Sequence, residues 1–350
     1  MFDRQGNHFP NIRAVDLFCG AGGMTHGLMR SGIDVVAGYD LDPNCRYPFE
    51  ANNRAKFFEQ DIRKLNVEDV AKRLSGADFS LVAGCPPCQP FSTYSRSQQR
   101  RETGDDWKLV EVFGQVIQQI QPDLIVMENV PQLAKHHVFA DFLEYLKGYR
   151  TEWNVVEAER WGVPQKRRRL VLMASKQHKN PLELSGEVSR PVTVREAIGG
   201  LKPIRAGEVD SKDSLHRAPK LSDRNLQRIK HSKPGGTWRD WPVELQSPCH
   251  RKATGATYPS VYGRMLWDRP SPTITTQSFG YGSGRFGHPA QDRAISLREA
   301  AILQSFPQDY EFVRPGERVR YNVLGRMIGN AVPVRLAESI GEALLRHVAS

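Results

Sequence analysis

The chain has 350 residues, 39% hydrophobic and 25% charged, which suits a globular protein of one large domain or a large and a small one. No apolar run approaches the ~20 residues that a membrane-spanning helix needs. Residues 1–7 lack the basic-then-apolar layout of a secretory signal, so a cytoplasmic protein without a membrane partner is the expectation. The formal net charge of +10 is unevenly placed, because residues 190–265 hold 15 Lys and Arg against 7 Asp and Glu. Positive charge confined to one segment suits a polyanion such as nucleic acid, although a solvated basic surface gives the same count. Five cysteines in this length make no disulfide framework and point to free thiols.

In chain order, residues 13–18, 34–39, 57–60, 79–83, 123–127 and 170–174 read as buried strands. Between them, residues 24–31, 67–74, 109–119 and 139–146 carry helical apolar spacing. This alternation predicts an α/β fold, a doubly wound and mostly parallel sheet with its ligand at the carboxyl ends of the strands. Beyond residue 180 the periodicity weakens, and Pro, Gly and basic residues mingle with Trp238, Trp241, Tyr258, Tyr262 and Trp267. The predicted organisation is a catalytic and cofactor-binding domain over 1–180, then a smaller, loop-rich recognition domain over 181–320. Residues 321–350, with helical spacing over 323–348, are expected to return to the first domain.

The first chemistry-bearing stretch follows the first strand, where Gly20, Gly22 and Gly23 make a tight turn into a helix. Such a turn lets the backbone and the helix-start N–H groups approach a ligand, or it is simply a turn. Its spacing fits neither the dinucleotide fingerprint nor a phosphate loop. Asp40 and Asp61 end the next two strands, where one acid can bind ribose hydroxyls and the other an exocyclic amine. Together they describe a nucleoside pocket without a phosphate site, although either acid alone could be a cap or turn residue.

The fourth strand runs into Ala83-Gly-Cys-Pro-Pro-Cys-Gln-Pro-Phe-Ser92, with Cys85 and Cys88 in C-x-x-C spacing. A zinc site would need two further ligands, and a redox motif normally opens a helix, which these prolines oppose. The other reading is a single nucleophilic cysteine on a rigid, proline-bounded loop, active as its thiolate.

Taken together, Asp16-Leu-Phe-Cys-Gly-Ala-Gly-Gly, Pro87-Cys88-Gln89, Glu128-Asn129-Val130, Gln165-Lys-Arg-Arg-Arg169 and Gly329-Asn330-Ala331-Val332 resemble the DNA cytosine-5 methyltransferases, in order and over nearly the whole chain. The resemblance implies the S-adenosylmethionine-dependent methyltransferase fold, S-adenosylmethionine as cofactor and no metal. It assigns Asp16, Phe18, Gly20, Gly22, Gly23, Asp40, Asp61, Ile62 and Asn330 to the cofactor pocket. Cys88 would attack C6 of cytosine, and Glu128 would serve N3 and the exocyclic amine. Arg167 would reach the base carbonyl, with Arg169 more structural. The base must leave the stack to meet a thiolate. Residues 92–107, with Arg96, Arg100 and Arg101, would close on the DNA. The second domain would read duplex DNA with its arginines and aromatics, organised by the segment Arg269-Pro-Ser-Pro-Thr-Ile-Thr-Thr276.

The resemblance also implies action on double-stranded DNA, in a restriction–modification pair with a cognate endonuclease or alone, and a monomer is the default because one active site needs only one chain. Two positions depart from the commonest pattern, Cys85 and Ala331. The rival readings are an RNA cytosine-5 methyltransferase, a dinucleotide-dependent oxidoreductase, and a DNA-binding regulator without catalysis.

Overall fold

The computed structural model describes residues 10–87, 108–177, 179–252 and 259–349. Cys88, the expected closing loop 92–107 and Tyr258 lie outside them. The chain divides into two units. The first comprises Met1–Trp161, Arg168–Glu187 and Val332–Ser350, and the second Gly162–Arg167 and Val188–Ala331.

The first unit is built on seven strands: β1 (Ile12–Leu17), β2 (Asp34–Asp40), β3 (Lys56–Glu59), β4 (Phe79–Gly84), β5 (Leu124–Asn129), β6 (Arg150–Glu157) and β7 (Arg168–Ser175). Their order is β3-β2-β1-β4-β5-β7-β6. The first five are parallel, while β7 runs antiparallel to β5 and β6 antiparallel to β7. The central strands are short apolar runs because both faces are covered, and all six residues of β5 are buried. The order reverses between β1 and β4, which places a crevice at their carboxyl ends.

Two elements of this unit escape the periodicity of the sequence. In β6, Arg-Thr-Glu-Trp-Asn-Val-Val-Glu, only Val156 is buried, so an edge strand shows no apolar run. Helix α2 (Arg46–Asn52) has Pro48 at its third position, where a missing N–H costs nothing because first-turn amides lack helical partners. The other helices are α1 (Gly23–Ser31), α3 (Val67–Leu74), α4 (Lys108–Ile120) and α5 (His137–Tyr145). Helix α4 turns Val110, Phe113, Val116 and Ile117 into the core. Asn66 caps α3 by accepting from the N–H groups of Glu68 and Asp69.

The second unit has little regular structure: α6 (Val194–Ile198), α7 (Asp223–His231), α8 (Leu297–Leu303), α9 (Tyr321–Asn330) and short turns. Backbone carbonyls without ladder partners are served there by buried guanidinium groups. Arg264 donates to the carbonyls of Ile229, Ser232, His288 and Gln291. Arg293 grips Glu299 through two 2.7 Å bonds at the capping box of α8. Beside that pair, burial drives the His288 imidazole down to about 4, so it is neutral. Trp238 and Trp241 are also interior, packed with Leu245. These two tryptophans and these arginines, expected to read DNA, build the unit itself. A chain without sheets still has to bury apolar area and pair its carbonyls.

Among the C-terminal residues, α9 belongs to the second unit. The return to the first begins at Val332, eleven residues later than expected, with α10 (Val334–Val348). Helix α10 lies against α1 so closely that a Cβ at Gly27 would come 2.4 Å from both Ala337 Cβ and the Val334 carbonyl oxygen. Gly27→Ala therefore forces the two helices apart and is expected to cost about 1–3 kcal/mol. Equilibrium denaturation measures this, and an unchanged midpoint would refute the close approach.

Candidate active site

The first strand ends in a backbone that side chains rarely adopt. Phe18 has φ 62°, Gly20 53° and Gly22 89°, so the chain reverses within five residues and α1 begins with no side-chain cap. The turn is tied to β2, because Asp40 Oδ2 accepts the Gly20 N–H at 2.9 Å and Oδ1 accepts that of Asp42 at 2.9 Å. Burial pushes the Asp40 carboxyl above its ordinary value, and these two amides oppose the rise. Asp61 is engaged differently. It caps the turn Ile62–Lys64 and is gripped by the Arg63 guanidinium at 2.8–3.1 Å, which holds its carboxyl below the usual range. Ile62, its neighbour, is buried in the core.

Asp16 is the most unusual of the acids. It lies in β1, 1% exposed, and its Oδ2 accepts the Thr25 hydroxyl at 2.7 Å. Its Oδ1 is buried and has no hydrogen-bond partner among the described residues. Desolvation raises this carboxyl to about 7, against the hydrogen bonds from Thr25. A buried oxygen left unpaired beside a glycine turn is costly unless something fills it. A cationic group fits that position, and so do the residues of the turn around it.

The second cluster lies at the carboxyl ends of β4 and β5. Glu128 is 2% exposed, and a side chain from each flanking strand meets its carboxylate. On the β4 side, the register sets Gly84 beside Met127, which brings the next residue, Cys85, beside Glu128. The Cys85 thiol donates to Glu128 Oε2 at 2.9 Å. On the β7 side, Glu128 lies opposite Val171, so Arg169, two residues away on the same face, is its diagonal neighbour. Arg169 Nε stands 2.8 Å from Glu128 Oε1. The contact is one of charges, because Oε1 receives no aligned hydrogen bond among the described residues. Asn129 donates to the Pro86 carbonyl at 3.0 Å, and its own carbonyl oxygen accepts from Val130 N–H at 2.8 Å. Asn129 thereby anchors the start of the Pro-Pro-Cys segment to β5.

Arg167 is placed otherwise than the sequence led us to expect. It belongs to the second unit and is 2% exposed. It donates to the carbonyls of Ile274 at 3.0 Å, Gly329 at 3.0 Å and Ala331 at 3.3 Å. Gln165 extends this brace, accepting from Ile274 N–H at 2.7 Å and donating to Leu303 O and Gln304 Oε1. The Gln-x-Arg pair thus ties together the 271–276 segment and the ends of α8 and α9. The arginine beside Glu128 is Arg169. An alternating Arg-x-Arg does not reveal which member is interior. Asn330 ends α9 in the second unit and is exposed. No group of His, Cys, Asp and Glu that could hold a metal occurs among the described residues.

A family model of the C-5 cytosine-specific DNA methylases matches residues 12–346. The chain is 46% identical over 342 residues to the Type II methylase M.HgiDII of Herpetosiphon aurantiacus, covering 95% of both chains. It is 31% identical to the Type II methyltransferase M1.HphI of Haemophilus parahaemolyticus, covering 96% of this chain and 87% of that one. In fold it is similar to a solved E. coli structure described as a prophage-encoded DNA modification methyltransferase. The TM-score there is 0.73 at 22% identity, over 97% of this chain and all of that one. With nearly its whole length matched, the chain belongs to the C-5 cytosine-specific DNA methylase family, and is a DNA cytosine-5-methyltransferase.

Proposed function

We propose that the protein takes the methyl group from S-adenosylmethionine and delivers it to a cytosine flipped out of duplex DNA, through a bond between Cys88 and C6. The observation that carries this reading is the Glu128 carboxylate held between Cys85 and Arg169, beside the anchored start of the Pro-Pro-Cys segment. The match to Type II methylases favours a sequence-specific DNA site and a restriction–modification setting.

S-adenosylmethionine, when bound, supplies an electrophilic methyl group. The chain's own residues do the rest. The glycine turn and Phe18 would give the cofactor its seat, Asp40 would accept from the ribose, Asp61 would accept from the adenine amine, and Asp16 would face a positive group. Ile62 lies at the same end of the sheet, and Asn330 is the remaining residue that the family resemblance assigns to the cofactor. Cys88 forms a bond to C6, and the electron pair of the broken C5–C6 π bond moves into the ring. Glu128 delivers a proton to N3, so that charge does not accumulate there. Arg169, rather than Arg167, is the guanidinium placed to offset charge on the carboxylate and the base carbonyl. C5, thereby made nucleophilic, bonds to the methyl carbon as that carbon's bond to its donor breaks. A base then takes the C5 proton, the C5–C6 double bond re-forms as the Cys88–C6 bond breaks, and N3 returns its proton to Glu128.

Incubation with labelled S-adenosylmethionine and duplex DNA carrying 5-fluorocytosine tests this directly. Fluorine at C5 is not lost as a proton is, so a denaturation-resistant complex is expected, absent in Cys88→Ser. A complex that persists in that variant, or label incorporated only into RNA, would sink the proposal.

The two arginines separate by what they damage. Arg167→Ala removes the side-chain donor of the buried Ile274 carbonyl, leaves the Gly329 and Ala331 carbonyls only their long bonds from Gln304, and is expected to cost about 3 kcal/mol of stability. Arg169→Ala is expected to slow methyl transfer by about a hundredfold or more. Urea denaturation and turnover measure the two losses, and a stable but inactive Arg167→Ala would overturn the assignment.

Asp16 also couples cofactor binding to protons. Its carboxyl, raised to about 7 by burial, holds a proton in the ligand-free protein below that pH. A raised carboxyl means that the fold binds more protons than the unfolded chain, so its contribution weakens as pH rises from about 4 to about 7. A cationic ligand favours the ionised form. Affinity for S-adenosylmethionine is therefore expected to increase as pH rises towards and through about 7, with proton release on binding. Calorimetry in buffers of different ionisation enthalpy reads that proton, and Asp16→Asn should abolish it. Proton release unchanged in Asp16→Asn would exclude this group.

A further inference from the structure

The mechanism above leaves one group at the reaction end of the sheet without a task. Cys85 follows β4 directly, is half-buried, and directs its thiol at the carboxylate on the neighbouring strand. The sulfur stands 2.9 Å from Glu128 Oε2, a short separation for a thiol donor. We infer that Cys85 is a positioning residue for Glu128, its S–H fixing the rotation of the carboxylate so that Oε1 is the oxygen left for the base. The inference rests on the proposed role of Glu128.

The argument comes from the freedom of a glutamate. Its last torsion joins a tetrahedral to a planar carbon, so it has broad, two-fold wells and little preference of its own. Burial of Glu128, 2% exposed, restricts its sp³ torsions more than the rotation of its two oxygens. Arg169 alone does not settle that turn, because its contact with Oε1 is a charge contact without an aligned bond. A directed donor on Oε2 removes the remaining freedom. Backbone geometry makes the donor dependable, since the Cys85 N–H bonds to the Leu17 carbonyl at 3.3 Å and holds this residue against β1. The carboxylate is thus set by one partner from β4 and one from β7. A misoriented acid loses alignment with N3, which is felt in the chemical step and not in the binding of DNA or cofactor.

The experiment uses the full-length protein with its duplex substrate, comparing Cys85→Ala, Cys85→Val and Cys85→Ser with Glu128→Gln as reference. The two variants without a donor, one smaller and one larger than cysteine, are expected to lower kcat about tenfold. KM for DNA and Kd for S-adenosylmethionine should stay within about twofold. Cys85→Ser restores a donor in a smaller side chain and should recover most of the loss. If Cys85→Ser falls as far as Cys85→Ala and Cys85→Val, the thiol only fills space and the inference is wrong. Wild-type kcat in Cys85→Val alongside an inactive Glu128→Gln overturns it while the role of Glu128 stands. Full activity in Glu128→Gln removes both.

Discussion

A carboxylate in the interior of a buried strand is the constraint on which the catalytic end of this protein depends. Glu128 and Asn129 end the apolar run of β5, and a buried carboxyl group is tolerated only when it is paired or hydrogen-bonded. Its partners come from the strands on either side, and that explains a feature of the sheet. Parallel strands present their last residues at the ligand-binding edge, so a parallel β7 would bring Ser175 there. Because β7 runs antiparallel, its first residues, Arg168 and Arg169, lie at that edge instead. The reversal delivers a guanidinium to the carboxylate without a long loop. Strand β6, lying antiparallel on β7 from Arg150↔Ser175 to Glu157↔Arg168, covers the side of β7 that β5 does not.

The second unit solves a different problem with the same residue type. Arginine enrichment there suggests a polyanion, and membership of a DNA methylase family agrees with it. Yet Arg228, Arg264, Arg293 and Arg298 are interior. Arg228 donates to the Leu245 carbonyl and the Ser247 hydroxyl, and Arg298 to Asp213 and the Tyr310 carbonyl. In a loop-rich chain, a planar fork with five donors replaces the ladder that a sheet would have provided. Charge counted along the sequence therefore mixes two uses. Only the exposed cations are available for phosphates.

Much of this was legible because it follows from periodicity and turn chemistry. The strands β1, β2, β4 and β5 and helices α1, α3, α4 and α5 come from apolar spacing, and the glycine turn from residues that tolerate positive φ. What stayed hidden depends on contacts far apart in the sequence. Nothing local distinguishes Arg167, which braces carbonyls 107 to 164 residues away, from Arg169, which faces Glu128. Cys85 has no signal either, since its partner is set by the register of β4 on β5. The tryptophans read as surface aromatics because their neighbours are polar. Segments folded around one another without regular structure leave no period to detect.

The three acids of the proposed cofactor pocket, alike in sequence, are prepared differently. Asp40 gives one lone pair of each oxygen to a backbone amide, so it can still accept from hydroxyl groups but is restrained in place. Asp61 is already paired with Arg63, and its half-buried position suits a weak, adjustable contact. Asp16 alone keeps a buried oxygen with no hydrogen bond among the described residues. An unsatisfied carboxylate in that position destabilises the empty site, and a positive ligand group relieves it. In the empty site a proton relieves it below about pH 7, and a positive ligand group takes that proton's place on binding. On that reading Asp16 favours a charged cofactor over its neutral product, because a sulfonium that has given up its methyl group no longer carries the positive charge.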